Sequence, residues 1–492
     1  MTRRWVNRWG KSRWALVALV WLAWTLRLSP TLDNRFHADE ALYGYWGLLI
    51  GRGRDPWLAS VPVYKPPLLP YLVAGAQALF GNSEFTVRFF GLAAGMLMIP
   101  LVAALARFLY RERWTATAAA VGVAFSPFAI LFSATAFTDP VMVTLGLAAC
   151  VAAVRGRPGW AGVLAGLACA TKQTGLAWLP LVSTIQISKS RNLKSLLLAL
   201  GSWSLVLGLT FGWDAVRVTQ GAQSFWRLGV SGYGGLRLIW PHELWARLRG
   251  WLGLGRYVFV SPILSGVLLV GLPLLVWRSI TRRRYTSASL ADLILAFFSL
   301  VYFLFHWLWA FPVWDRYLLP LVPILAILLS RIINLAQLQR SPFGATTAIV
   351  IRNSLFTILL IFPAWNAAHS RYPVGGDHWA YGGIDEVSAF LCDLPEGAVV
   401  YQHWLGWHYV YHLFDAPVYR AYWPTPAWLA RDVQAFGAHE PRYVTFPSWE
   451  SSARAERALA DVGYELEPVL TTTRQDGTRS FTVYHIQPGS DQ

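Results

Sequence analysis

The residues with chemical potential in this sequence sit at the edges of long apolar runs. After the first run comes Asp33-Asn-Arg-Phe-His37-Ala-Asp39-Glu40, followed by Tyr43, Tyr45 and Trp46. Tyr64-Lys65-Pro66-Pro67 then opens a short apolar piece, and Arg88, Thr138-Asp139-Pro140, Lys172 and Asp315-Arg316-Tyr317 lie beside later runs. A carboxylate such as Asp39, Glu40 or Asp139 can accept a proton from a hydroxyl. Cations such as Lys65, Lys172, Arg88 and Arg316 can neutralise a departing phosphate, and an arginine can do so with two parallel hydrogen bonds. Together they suit transfer of a sugar from a lipid phosphate. A phosphodiester leaves without protonation, so one base suffices, whereas hydrolysis of a glycoside needs a carboxylate pair because an alkoxide leaves poorly.

Each candidate has a plainer alternative. Asp39 or Glu40 can stabilise the positive end of a helix dipole. Asp139 before Pro140 reads equally as a helix opening. Lys65 and Lys172 can reach for lipid headgroups, Asp315–Arg316 can be a structural pair, and Arg88 shares that ambiguity. His37, His306 and His378 have no paired ligand spacing, so the residues assign no metal.

The elements that must position these residues are transmembrane helices. Hydrophobic residues make up 55% of the chain and charged residues 14%, against roughly 25% charged in soluble domains. The 27 Trp suit membrane–water interfaces. The formal charge of +16 sits mainly in short loops: Arg111 and Arg113, Arg155 and Arg157, Lys189 to Lys194, and Arg278 to Arg284. The positive-inside rule explains it without nucleic acid. The three cysteines, Cys150, Cys169 and Cys392, form no disulfide framework.

Candidate spans run over 14–32, 86–109, 115–136, 140–154, 158–171, 175–188, 195–213, 257–277, 290–310, 317–334 and 346–364. The basic N-terminus, read as an uncleaved first span, starts in the cytoplasm. The piece 66–80 is shorter than the roughly twenty residues a span needs. Laid along the outer surface as an interfacial helix, it puts every later basic cluster inside. Asp39, Lys65, Asp139, Lys172 and Arg316 then share the outer face. The expected architecture is an all-α polytopic membrane domain of eleven spans over 1–364, with a first outer loop at 33–85. A small extracytoplasmic α/β domain follows over 365–492, with strands at 398–403, 442–446 and 480–486 and a helix at 451–462.

At these residues the sequence resembles the GT-C superfamily, and more closely the group of protein O-mannosyltransferases and lipid A aminoarabinose transferases. The resemblance rests on Ala38-Asp39-Glu40, Tyr64-Lys65-Pro-Pro-Leu, Phe80-Gly81 with Val87-Arg88-Phe89, Thr138-Asp139-Pro140, Thr171-Lys172 and Asp315-Arg316-Tyr317-Leu-Leu-Pro320 in order. It implies Asp39 as general base with Glu40 beside it, Asp139 orienting acceptor or base, and Lys65 on the carrier phosphate. The implied partners are a polyprenyl-phosphate-linked sugar donor, membrane lipids and an extracytoplasmic acceptor, whether protein, lipid or glycan. Some GT-C branches need a divalent metal; the mannosyl and aminoarabinosyl branches do not, and no cofactor is assigned. The competing readings are a flippase or transporter, which would carry its charges mid-span, and a catalytically silent relative.

Overall fold

The computed structural model describes residues 3–190, 192–232, 235, 237–281, 286–337, 345–437 and 439–489. Parts of the basic clusters at 189–194 and 278–284 lie outside them. The chain begins with α1 (Arg3–Asp33), α2 (Ala38–Gly51) and α3 (Leu68–Phe80). It continues through α4 (Glu84–Tyr110), α5 (Arg113–Ala124), α6 (Pro127–Ser133), α7 (Thr138–Val154), α8 (Pro158–Thr171), α9 (Trp178–Ser190) and α10 (Leu193–Thr219). The short α11 (Phe225–Gly232) and α12 (Leu244–Gly255) precede α13 (Pro262–Thr281), α14 (Ser287–Leu308), α15 (Leu321–Gln337) and α16 (Ala345–Ala368).

Among the described residues, α4, α10, α13 and α14 are long and apolar enough to cross a membrane. The candidate 115–136 is two helices, α5 and α6, bent by 56°. The break has a local cause. Ser126 caps α6 by accepting from the Ala129 N–H, and Pro127 at the first helical position cannot continue α5. Arg27, fully buried in α1, donates to the terminal carbonyls of α5, those of Val123 and Ala124, at 3.2 and 3.0 Å. A cation thus closes the negative end of α5, and a buried arginine finds its acceptors without any carboxylate.

The 13-residue α3 follows two prolines and packs against α2. Helix α4 approaches the segment after α6 so closely that a methyl group on Gly91 would lie 2.0 Å from the Thr135 carbonyl oxygen. One on Gly95 would lie 1.8 Å from Ser133 Oγ. From the other side, Thr144 of α7 donates to the Ala94 carbonyl at 2.8 Å. These contacts lock the loop 134–137, which carries the start of α7.

The C-terminal part holds α17 (Ile384–Cys392), α18 (Gly406–His412), α19 (Pro426–Phe436) and α20 (Ala453–Ala460) around a mixed five-stranded sheet. Its strands are β1 (Val399–Gln402), β2 (Tyr419–Tyr422), β3 (Arg442–Pro447), β4 (Tyr464–Thr473) and β5 (Arg479–Pro488), in the order β2-β1-β3-β5-β4. Strand β1 runs parallel to β2 and β3, and the pairs of β5 are antiparallel. The alternating Val400 and Tyr401 point to opposite faces, one under α17 and α18 and the other under α19 and α20. The expected strands and helix are present; β2 and β4 are additional. Strand β2 is four largely exposed edge residues, and β4 carries Pro468 at an irregularity, so neither shows clean alternation.

Helix α18 presses this part onto α2. The His408 Nε2 lies 2.9 Å from the Phe36 carbonyl oxygen, so that nitrogen donates, and Tyr411 Oη donates to Asn82 Oδ1 at 2.7 Å. Ion pairs Arg35–Asp385 and Arg54–Asp415 close the rim at 2.7 and 2.6 Å.

Gly91→Ala is expected to cost about 1–3 kcal/mol by overpacking against backbone, read as a lower thermal unfolding midpoint in detergent. Gly212→Ala, in α10 with nothing within 4 Å of the added methyl, is expected to be neutral or stabilising by up to about 1 kcal/mol. Equal losses from both would contradict the close approach.

Candidate active site

The first carboxylate follows from a helix start. In His37-Ala-Asp39-Glu40 the His37 Nδ1 accepts from the Asp39 N–H at 2.9 Å, and Glu40 Oε2 accepts from the His37 N–H at 2.9 Å, a reciprocal cap that fixes the first turn of α2. Asp39 therefore projects from a rigid position. Tyr64 Oη donates to its Oδ1 at 2.8 Å and Arg316 Nη1 to its Oδ2 at 2.6 Å. Burial works to raise the proton affinity of Asp39, but Arg316 and then His37 outweigh it and hold the carboxyl well below the usual range.

The neighbouring Glu40 has a different environment. Its Oε1 accepts from Arg88 Nε at 2.9 Å and from the Ala136 N–H at 2.8 Å, and its Oε2 accepts from Arg88 Nη2 at 3.0 Å besides the cap. Arg88 donates further to the carbonyls of Thr31, Asn34 and Arg35 at 2.9, 2.6 and 3.0 Å. All five of its N–H groups are thereby used. Glu40 and Arg88, expected from the sequence as a catalytic carboxylate and a phosphate contact, form a buried joint between α1, α2, α4 and the 134–137 loop. Neither lines a cavity described below.

Asp139 lies in the first turn of α7, whose N-cap is Phe137, and makes no capping bond. Its Oδ1 accepts instead from Lys172 Nζ at 2.6 Å, and its buried Oδ2 has no hydrogen-bond partner among the described residues. Lys172 follows α8 just before a tight turn in which a methyl on Gly175 would meet the Ala168 carbonyl oxygen at 2.4 Å. The next residue, Gln173, donates from Nε2 to the Tyr64 carbonyl at 2.7 Å. One connection thus places both Lys172 and the Tyr64–Lys65 segment. Lys65 is buried, and burial, then Lys172 and Arg316 nearby, hold its ammonium well below the usual lysine range.

Two cavities meet at these residues. A largely apolar groove of about 710 Å³ runs between α9 and α14, walled by Leu181, Phe297 and Val301 among others, with Lys65, Lys172 and Tyr317 at one end. A second cavity of about 670 Å³ is lined by His37, Asp39, Tyr64, Asp315, Arg316 and Asp377. The chain neighbours Tyr64 and Lys65 face different cavities, as do Arg316 and Tyr317. Helix α11 also serves both, with Trp226 and Val230 on the groove and Leu228 and Ser231 on the polar side.

The structure brings Asp39, Tyr64, Lys65, Asp139, Lys172 and Arg316 together and sets Glu40 and Arg88 behind them. Sequence reading missed Gln173, Asp377 and α11. Gln173 stood beside a chosen residue, and α11 carries one charge, Arg227, to mark it. Among the described residues no group of three His, Cys, Asp or Glu side chains is arranged to hold a metal ion.

Residues 64–212 match the family model of dolichyl-phosphate-mannose-protein mannosyltransferases. No curated protein matches the chain by sequence. In fold it is similar to ArnT from Cupriavidus metallidurans bound to undecaprenyl phosphate, with TM-score 0.62, 15% identity and 98% of each chain covered. The apo state of that protein gives TM-score 0.64 at 15% identity, over 96% of this chain and 98% of that one. The oligosaccharyltransferase AglB from Archaeoglobus fulgidus, in complex with an inhibitory peptide and a dolichol-phosphate, gives TM-score 0.51 at 14% identity, over 96% of this chain and 74% of that one. Over nearly its whole length the chain shares the fold of ArnT.

Glu40→Gln leaves the buried Arg88 with only the 3.8 Å contact to Glu84 and is expected to destabilise by about 3–5 kcal/mol, read as a large drop in thermal midpoint. Asp39→Asn, whose partner Arg316 borders the polar cavity, is expected to cost less, about 1–3 kcal/mol. Comparable losses would contradict the division of roles.

Proposed function

We propose that the protein moves a single sugar from a polyprenyl-phosphate-linked donor to a hydroxyl of an extracytoplasmic acceptor, with inversion at the anomeric carbon. The observation that carries this reading is the placing of Lys65 and Lys172 at the end of the apolar groove, where Lys65 and Tyr317 are each one residue from a group, Tyr64 or Arg316, that holds Asp39 in the polar cavity. The groove suits an isoprenoid chain and the two ammonium groups suit its phosphate. The polar cavity suits the sugar and the acceptor. The undecaprenyl phosphate in ArnT and the dolichol-phosphate in AglB support the same class of carrier.

In this reading Asp39 is the general base. The acceptor oxygen attacks the anomeric carbon, its proton passes to Asp39, and the glycosidic electron pair leaves on the phosphate oxygen. Lys65, Lys172 and Arg316 receive the charge that develops there. Asp139 sets the position of Lys172 through their 2.6 Å ion pair. A single displacement on a carbon held between two cavities inverts its configuration. Tyr64 orients Asp39, while Glu40 and Arg88 position the helix that bears it.

Membrane placement follows the same logic. The N-terminus is cytoplasmic, α3 lies in the outer interface, eleven segments cross, and the domain at 365–492 covers the site from outside. Asp39 starts α2, Asp139 starts α7, Lys172 follows α8 and Arg316 precedes α15, so one end of the bundle bears them all.

With a panel of labelled polyprenyl-phosphate pentoses, hexoses and amino sugars and a membrane extract as acceptor, wild type is expected to transfer one of them. Asp39→Asn is expected to lose about 10²–10⁴-fold in rate. Lys65→Ala is expected to raise the KM for donor more than for acceptor. Equal transfer by wild type and Asp39→Asn would reject Asp39 as the base.

A further inference from the structure

Arg316 and Arg88 are both buried arginines paired with a carboxylate, yet they are held differently. Arg88 uses all five N–H groups on protein acceptors. Among the described residues, Arg316 makes one side-chain hydrogen bond, from Nη1 to Asp39 Oδ2 at 2.6 Å. Its guanidinium carbon lies 4.3 Å from the centre of the Trp314 ring and 5.2 Å from that of Phe137. Aromatic faces hold a guanidinium by its charge and its plane without fixing its edge. Arg316 is therefore retained in the site but only lightly tethered.

Its surroundings supply a second destination. Tyr317, the next residue, lines the apolar groove, and its ring centre is 4.6 Å from Lys172 Nζ. Arg316 thus stands between the base and the place where the two lysines would receive a phosphate. Asp39 keeps a second anchor, the 2.8 Å bond from Tyr64 Oη to Oδ1, which does not depend on Arg316.

We propose that Arg316 is a shared cation, which holds Asp39 in the free enzyme and passes to the donor phosphate when the donor binds, baring Asp39 Oδ2 for the acceptor proton. The inference rests on the donor assignment above. The charges balance along the step. The acceptor O–H bond breaks and its proton joins Asp39, whose charge goes from minus one to zero. The bond from the anomeric carbon to the phosphate oxygen breaks as the bond to the acceptor oxygen forms, and the phosphate gains the negative charge that Asp39 loses. A guanidinium that moves from carboxylate to phosphate follows that charge. Without donor, a carboxylate gripped by Arg316 is a weak base, so the activating event is arrival of the phosphate.

The test is a binding cycle on the full-length protein in detergent, with an inert polyprenyl methyl phosphodiester as probe; it carries one negative charge and has no sugar to transfer. Asp39→Asn is expected to tighten binding about tenfold by releasing Arg316, and in the Arg316→Gln background the same change is expected to alter binding less than about twofold. Equal tightening in both backgrounds, the signature of simple charge removal, would overturn the proposal, as would no tightening in either. Infrared difference spectra of the wild type provide a measurement that needs no Arg316 variant. Probe binding is expected to shift a carboxylate stretching band that is missing in Asp39→Asn, and an unshifted band would also overturn the sharing. Binding indifferent to both Lys65→Ala and Lys172→Ala would instead reject the donor assignment itself.

Discussion

The structure is organised around a buried ion pair, Glu40–Arg88. Taking two charges out of water costs several kcal/mol per ion, and such a pair persists only if every lone pair and proton is satisfied. Here the requirement draws in backbone from α1, the His37 cap and the Ala136 N–H. The pair therefore fixes where α1 ends, where α2 begins and where the loop before α7 passes. Those three positions place Asp39 and Asp139. The chemistry of the site is inherited from a constraint that takes no part in it.

Around that joint Asp39 and Asp139 are each given a cation, Arg316 for Asp39 and Lys172 for Asp139. The two pairs sit on the wall between an apolar groove and a polar cavity. A lipid-linked sugar is itself divided this way, with an apolar chain, an anionic phosphate and a polar ring. Chain neighbours on either side of the wall, Tyr64 with Lys65 and Arg316 with Tyr317, match the division with no need for long-range adjustment. Helix α11 seals the junction, since a methyl on Gly229 would lie 2.7 Å from Gln173 Nε2 and 3.1 Å from the Tyr64 carbonyl oxygen.

Much of the site was legible in the sequence because charges beside apolar runs are conspicuous. Asp39, Lys65, Asp139, Lys172 and Arg316 could be selected on that ground alone. Their division of labour could not. Glu40 and Arg88 are 48 positions apart, and nothing local shows that one answers the other. Asp139 before Pro140 has the pattern of a helix cap, yet its acceptor goes to a lysine 33 positions away. The break between α5 and α6 has a local sign in Ser126-Pro127, but the arginine that makes it tolerable lies in α1. The C-terminal strands with apolar alternation were readable. An edge strand and a strand interrupted by proline were not.

In the proposed function the groove between α9 and α14 seats the carrier lipid with its phosphate against Lys65 and Lys172. Photo-crosslinking with a diazirine-bearing polyprenyl phosphate, mapped by mass spectrometry, tests it directly. Labelling is expected on the groove wall, at residues such as Leu181, Phe297 and Val301, and is expected to disappear when unlabelled carrier competes. Labelling spread over the outward faces of α10 and α13, and unaffected by competition, would contradict it.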